Sequence, residues 1–195
     1  MYNVFLNDII NKVIKLERVI EFAHNIIAKK VNKNDICVDM TIGNGKDTLF
    51  LCNLAKFVYG FDIQQCAVDN TNDYLIKNNV NNYKLFLSSH ENIDRFVNEK
   101  VKAFIYNLGY LPTGDKSIAT CFNSTINSLI KAFELLDEKG VIVLVVYPGH
   151  KQGEIEAFEL EKFVKTIPQK EYDVVKYQFI NQINNPPYVI VIERK

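Results

Sequence analysis

Net charge is missing from this 195-residue sequence: Lys and Arg total 23, and so do Asp and Glu. That balance excludes a nucleic-acid binder held by bulk charge, although a local cationic patch remains compatible with it. Long apolar runs are also missing; none approaches the roughly 18 residues of a membrane span, so no membrane association is expected. Through Asn11 the N-terminus mixes acidic and polar residues and lacks the pattern of a signal peptide. No Cys-x-x-Cys pair occurs among Cys37, Cys52, Cys66 and Cys121, and each falls in an expected strand or helix. Buried free thiols are therefore expected, in a reducing compartment, most simply the cytoplasm. His24, His90 and His150 lie far apart without zinc spacing, so no metal is expected. Repeats, low-complexity tails and linkers are absent. The length fits one domain over residues 1–195, read as an N-terminal helical extension, 1–34, and a core, 35–195.

What is present is an alternation of strands and helices. Residues 4–30 carry helical patterns in which Val13, Leu16, Ile20, Ala23, Ile27 and Val31 share one buried face. Lys12, Lys15, Arg18, Lys29, Lys30 and Lys33 concentrate positive charge there, either as a solvated helix face or as a phosphate-contact patch. Strands are expected at Ile36–Met40, Phe57–Asp62, Lys84–Leu87, Val101–Tyr106 and Val141–Val146, with helices following each at about 46–55, 65–78, 92–97, 118–136 and 154–166. Two closing strands, Asp173–Phe179 and Tyr188–Ile192, are separated only by a loop and must be antiparallel neighbours. Five strand–helix units with a terminal hairpin match the α/β, Rossmann-like class I methyltransferase fold. That is a seven-stranded, mostly parallel sheet whose last strand is antiparallel.

The sequence is organised around Val38-Asp39-Met40-Thr41-Ile42-Gly43-Asn44-Gly45-Lys46-Asp47-Thr48, an apolar strand feeding a glycine-containing turn that opens a helix. Gly43 and Gly45 permit positive φ and close ligand approach, and the helix N-terminus favours an anionic group. Asp62 ends the second strand, where an acid can accept from two ribose hydroxyls. A glycine loop after strand 1 and an acid after strand 2 read as a nucleoside-cofactor site; the bland alternative is a tight turn.

In this fold the loops after strands 1 to 4 share one crevice. The expected cofactor contacts are Asp39, Thr41, Gly43, Asn44, Gly45, Asp47 and Thr48, then Asp62 and Gln64, Ser89 and His90, and Asn107 and Gly109. The first loop would take the methionine part of S-adenosyl-L-methionine, Asp62 the ribose, and the third loop the adenine, although Ser89 also suits a helix cap. Amine methyltransferases of this fold carry Asn or Asp followed by Pro-Pro-Tyr or similar after strand 4. Asn107-Leu108-Gly109-Tyr110 resembles that pattern without its prolines. Asn107 is the candidate amine acceptor, or else an Asn-Gly turn residue. Tyr110 either stacks on a target base or packs. Asp115, Lys116 and His150 belong to loops near the same end, as substrate contacts or ordinary turn residues; of these His150 is the type suited to proton transfer near neutral pH.

Several stretches resemble the "putative rRNA methylase" family of Gram-positive bacteria, the YtqB-like proteins: Asp39–Leu51, Tyr59–Gln64, Ser89-His90-Glu91, Asn107–Lys116, Tyr147–His150 and Tyr177–Pro187. The resemblance runs from about residue 15 to the end. Met40 and Ile42 replace the family's usual residues at those positions. The resemblance implies methylation of the amine of 5-aminomethyl-2-thiouridine at the tRNA wobble position, giving 5-methylaminomethyl-2-thiouridine. The implied partner is the tRNA anticodon stem-loop, contacted by Leu111, Pro112, Asp115 and Lys116 and by Lys12, Lys15 and Arg18, with Asn107, Tyr110 and His150 catalytic. A ribosomal-RNA or small-molecule amine methyltransferase, a nicotinamide-dependent oxidoreductase and a silent binding module are the alternatives. The oligomeric state stays open, a homodimer included.

Overall fold

The computed structural model describes residues 16–109 and 120–195. Lys12, Val13, Lys15, Tyr110, Leu111, Pro112, Asp115 and Lys116 fall outside the described residues. The elements are α1 (Val19–Ala28), β1 (Ile36–Asp39), α2 (Lys46–Leu54), β2 (Phe57–Asp62), α3 (Gln65–Lys77), β3 (Tyr83–Leu87), a 3-10 helix (His90–Arg95), β4 (Val101–Leu108), α4 (Phe122–Leu135), β5 (Leu136–Val146), α5 (Lys151–Val164), β6 (Tyr172–Tyr177) and β7 (Tyr188–Arg194).

One seven-stranded sheet runs in the order β3-β2-β1-β4-β5-β7-β6. The β1–β2, β1–β4, β2–β3 and β4–β5 pairs are parallel, and β7 runs antiparallel between β5 and β6. The central strands alternate between two buried faces, as a period of two requires. On β5, Ile142, Leu144 and Val146 join one core with Leu129 of α4 and Leu160 of α5. Val141, Val143 and Val145 join the other with Ala23 and Ile27 of α1 and Leu51 of α2. Both sides of the sheet are thus covered by helices, and the loops that follow the parallel strands gather at its carboxyl edge.

The boundaries shift where tertiary pairing extends a strand. β4 continues past Tyr106 because Asn107 pairs with Val145 and Leu108 with Val146, so Asn107 sits inside the strand rather than after it. α5 begins three residues early because His150 caps it, its Nδ1 accepting the Gly153 N–H at 3.1 Å. Leu16 precedes α1 and is exposed, off the apolar face expected to include it. The thiols need a correction as well. Cys37 and Cys52 are buried, and burial raises both above the ordinary thiol range, but Cys66 and Cys121 are exposed. Cys66 misses the Ala67, Thr71 and Leu75 face by which α3 packs, and Cys121 is the extended residue preceding α4.

Candidate active site

Loops after β1, β2, β3 and β4 converge on one cavity of about 890 Å³. In the first loop Gly43 and Gly45 take φ of 50° and 76°, left-handed values that disfavour a side chain. A Cβ on Gly45 would also stand 2.9 Å from Thr71 Cγ2. Thr71 braces the loop from α3 by donating its hydroxyl to the Gly43 carbonyl at 3.1 Å. Asp39 is fully buried behind the loop: one oxygen accepts the Thr41 N–H at 3.1 Å, the other the Thr48 hydroxyl at 2.7 Å. Thr41, Gly43, Asn44, Lys46 and Asp47 line the cavity, whereas Asp39, Gly45 and Thr48 stand behind its wall.

Asp62 closes β2 and holds two loops. It accepts the Gly43 N–H at 3.1 Å on one oxygen and the Gln64 N–H at 2.9 Å on the other. Each carboxylate oxygen keeps a further lone pair for the cavity. After β3, Ser89 fills both of its expected places: it lines the cavity and its hydroxyl caps the 3-10 helix, accepting the Glu91 N–H at 3.4 Å. His90 beside it is 8% exposed, and burial lowers its pKa, so the ring is neutral. The Met40 carbonyl only accepts, so His90 Nδ1, at 3.1 Å from it, carries the proton. Nε2 is left as a buried bare acceptor with no partner among the described residues.

Asn107 is the best-fixed residue of the site. Its backbone N–H donates to the Thr41 hydroxyl at 2.7 Å, and its side-chain Nδ2 donates to Asp47 Oδ2 at 3.0 Å. The other carboxylate oxygen, Asp47 Oδ1, lies 2.7 Å from His24 Nε2. A carboxylate only accepts, so the Asn107 amide has one orientation: its nitrogen faces Asp47, and its carbonyl oxygen takes the opposite branch. Next to it the Gly109 N–H donates to the Thr120 hydroxyl at 2.9 Å, and that hydroxyl donates to Glu156 Oε2 at 2.6 Å.

Tyr147, Gly149 and His150 complete one side of the cavity, and Asn184, Asn185, Pro186 and Pro187 another. His150 lines the cavity with Nδ1 committed to its helix cap. Arg18 is exposed at the N-cap of α1 and does not line the cavity. Sequence reasoning missed the Asn184–Pro187 wall, although the Asn-Asn-Pro-Pro run between two strands marked a loop of unusual composition. Asn184 and Asn185 both have positive φ, 63° and 47°, which asparagine tolerates better than most residues. Ile63 belongs to the loop after strand 2 expected at the crevice, and Lys46 and Tyr147 to stretches that carry the family resemblance, though none of the three was named as a contact; His24 had no local signal. Among the described lining residues Lys46 is the one Lys or Arg, against Asp47, Asp62 and Glu91. The cavity thus offers acceptors and negative charge, the environment of a donor-rich cation.

A family model, "Putative rRNA methylase", matches residues 58–193. The Arabidopsis thaliana tRNA (mnm(5)s(2)U34)-methyltransferase, a chloroplastic protein, is 32% identical over 193 residues, covering 92% of this chain and 70% of the plant protein. SMU.1697c of Streptococcus mutans, solved in complex with SAH, superposes with a TM-score of 0.88 at 37% identity, covering 93% of this chain and all of that one (100%). A Clostridium thermocellum rRNA-methylase structure gives 0.91 at 39% identity, with coverage of 93% and 100%. Likeness of sequence over nearly the whole chain, joined to a cavity at the carboxyl edge of the sheet, identifies an enzyme of the class I methyltransferase fold, and the chain belongs to the "Putative rRNA methylase" family.

Proposed function

We propose that this protein is an S-adenosyl-L-methionine-dependent methyltransferase, a single domain that methylates the amine of 5-aminomethyl-(2-thio)uridine at the wobble position of tRNA. The observation that carries the reading is Asn107. Its carbonyl is turned away from Asp47, on a strand end whose neighbouring residues line the same cavity as the glycine loop and Asp62. The Arabidopsis relative's named activity supports the tRNA substrate rather than the ribosomal one of the family's name.

The residues present fit the cofactor. Asp62 retains lone pairs for ribose hydroxyls, and His90 Nε2 is a buried acceptor suited to an amino group such as that of adenine. Gly43 and Asn44 line the cavity and are read as the contacts of the methionine part. When bound, the cofactor supplies an electrophilic methyl group on a sulfonium. The chain's own task is then alignment. The Asn107 carbonyl accepts one amine N–H and so directs the nitrogen lone pair. An alkylammonium has no lone pair, so the substrate must first lose a proton. His150 Nδ1 already takes the Gly153 N–H, which makes bulk solvent the simpler destination for that proton. The implied partner is the anticodon stem-loop and the implied location the cytoplasm. Among the described residues no helix is long and apolar enough to cross a membrane.

The test is incubation of the purified enzyme with S-adenosylmethionine and tRNA bearing 5-aminomethyl-2-thiouridine, followed by nucleoside mass spectrometry. One added methyl on that nucleoside is the expected result. Methyl transfer to ribosomal RNA with none to this tRNA would replace the reading.

A further inference from the structure

α1 belongs to the N-terminal extension and has no place in the sheet, yet it reaches the site. Ala23 and Ile27 are fully buried against the sheet and fix its axis. Phe22 stacks on Tyr177 at 4.0 Å, and Lys30 pairs with Glu193, so the helix is anchored on β6 and β7 as well. His24, on the turn between those anchors, stacks on Phe50 of α2 with ring centroids 3.8 Å apart and planes 5° from parallel. Stacking sets the plane of the imidazole, and in that plane Nε2 meets Asp47 Oδ1 at 2.7 Å.

We propose that His24 and Asp47 are positioning residues that set the Asn107 carbonyl for the transfer step. The claim rests on the reading of Asn107 as the amine acceptor. A free asparagine amide can turn over, exchanging its oxygen for nitrogen at small cost. At position 107 that turn would place a carbonyl against the Asp47 carboxylate, two acceptors 3.0 Å apart, so the wrong orientation is disfavoured. Asp47 enforces this only while its own carboxylate stays put. It is largely buried, with its side chain 10% exposed, and one oxygen faces Asn107 while His24 holds the other. Asp47 also stands close enough to Asp39 for its charge to help raise that acid. Two acids this near together repel, and His24 supplies a donor to the Asp47 oxygen that Asn107 does not hold. The three residues span positions 24, 47 and 107, on α1, α2 and β4, so the packing of the extension helix is coupled to the geometry of the reacting amine.

Two readouts test the arrangement, one of which needs no substrate. The first is the pair of Asn107 side-chain amide protons in a nitrogen-15 NMR spectrum, assigned by their loss in Asn107→Ala. They should be separately resolved and slow to exchange with solvent in the wild type. In Asp47→Ala and in His24→Phe, which keeps the stack on Phe50, they should shift and exchange at least several-fold faster. The second is single-turnover methylation of aminomethyl-uridine tRNA. In His24→Phe the rate constant should fall about tenfold, with cofactor affinity and half-saturating tRNA changed less than threefold. His24→Gln, which restores a donor, should recover most of the loss. Amide signals indifferent to His24 and Asp47 would overturn the proposal whatever the substrate is. A wild-type enzyme inactive on that tRNA would instead remove the substrate reading and leave the spectra to decide. A His24→Phe loss confined to tRNA affinity would overturn the proposal by making His24 an RNA contact.

Discussion

Gly109 and Thr120 hold each other reciprocally: the Gly109 N–H donates to the Thr120 hydroxyl at 2.9 Å, and the Thr120 N–H donates back to the Gly109 carbonyl at 2.9 Å. The Thr120 hydroxyl then donates to Glu156, a carboxylate only 2% exposed that also accepts the Thr125 hydroxyl at 2.7 Å. Burial raises the Glu156 pKa, and the two threonine hydroxyls oppose that rise. Thr120→Val should leave the Gly109 N–H and one Glu156 oxygen without partners. Only the Glu156 oxygen is fully buried, since Gly109 lines the cavity, so a loss of about 1–3 kcal/mol in unfolding free energy is expected. Thr120→Ser should restore most of it. Urea denaturation of both variants measures this, and equal stability of Thr120→Val and wild type would show that the reciprocal pair contributes nothing.

Asp62→Ala should weaken cofactor binding tenfold or more, because the charge-assisted bonds proposed to ribose hydroxyls would be lost and the Gly43 and Gln64 N–H groups lose their acceptor. Asp62→Asn, which keeps one carbonyl acceptor, should fall between. Titration calorimetry with S-adenosylmethionine decides it. Unchanged affinity in the alanine variant would leave Asp62 with a purely structural role in its loops.

Asn107→Ala should bind the cofactor normally yet transfer the methyl group about a hundredfold more slowly, about 3 kcal/mol of barrier. Aspartate at this position keeps an acceptor for the amine, but it faces Asp47 at the 3.0 Å where the amide nitrogen now donates. Like charges so close should cost it much of that benefit, and increasingly so at high pH. Wild-type rates should rise with pH while the substrate ammonium deprotonates. Single-turnover rates across pH for both variants provide the check, and full activity in Asn107→Ala would return Asn107 to a role in the strand alone.

Asp39 is raised from the ordinary 3.8 to about 7, first by burial and then by the Asp47 charge. The sign follows from proton counts. Below 3.8 the folded and unfolded chains both hold the proton, and this acid contributes no pH dependence. Between 3.8 and about 7 the unfolded chain releases it while the folded one retains it, so stability from this acid falls as pH rises. Above about 7 the loss is complete and constant. Asp39→Asn carries no such penalty, so its melting temperature relative to wild type should climb through that window and then level off. Calorimetric scans of the two proteins from pH 4 to 8, roughly the range that brackets the transition, should therefore diverge; parallel curves would show Asp39 to be ionised throughout.

Charge reversal at Lys12, Lys15 and Arg18 should weaken tRNA binding without altering cofactor affinity. The salt dependence of wild-type binding should be shallow, a log–log slope of only a few units, because a neutral protein contacts few phosphates. Filter binding over a salt series measures both, and normal tRNA affinity in the reversed variant would take these cations out of the RNA contact.

The extent to which this protein could be read from its sequence follows from the range of the interactions concerned. The glycine turn after β1, the acid ending β2 and the strand–helix alternation are patterns within a few residues, set by backbone sterics and side-chain period. They sufficed for the fold class, the sheet's antiparallel hairpin and the cavity at the carboxyl ends of the parallel strands. The exposure of Cys66 was less legible, since it depends on which face of α3 the sheet covers. Strand ends shifted for the same reason: Asn107 is drawn into β4 by pairing with Val145, a partner far along the chain. The tertiary structure alone decided the polar wiring. His24 meets Asp47 across 23 positions, Asp47 meets Asn107 across 60, and Thr120 meets Glu156 across 36. Each residue has an ordinary local setting, and no periodicity or motif announces the pairing. Hydrogen bonds need partners placed to within a few tenths of an ångström, and only the packing of α1, α2, β4 and α5 onto one sheet sets that placement.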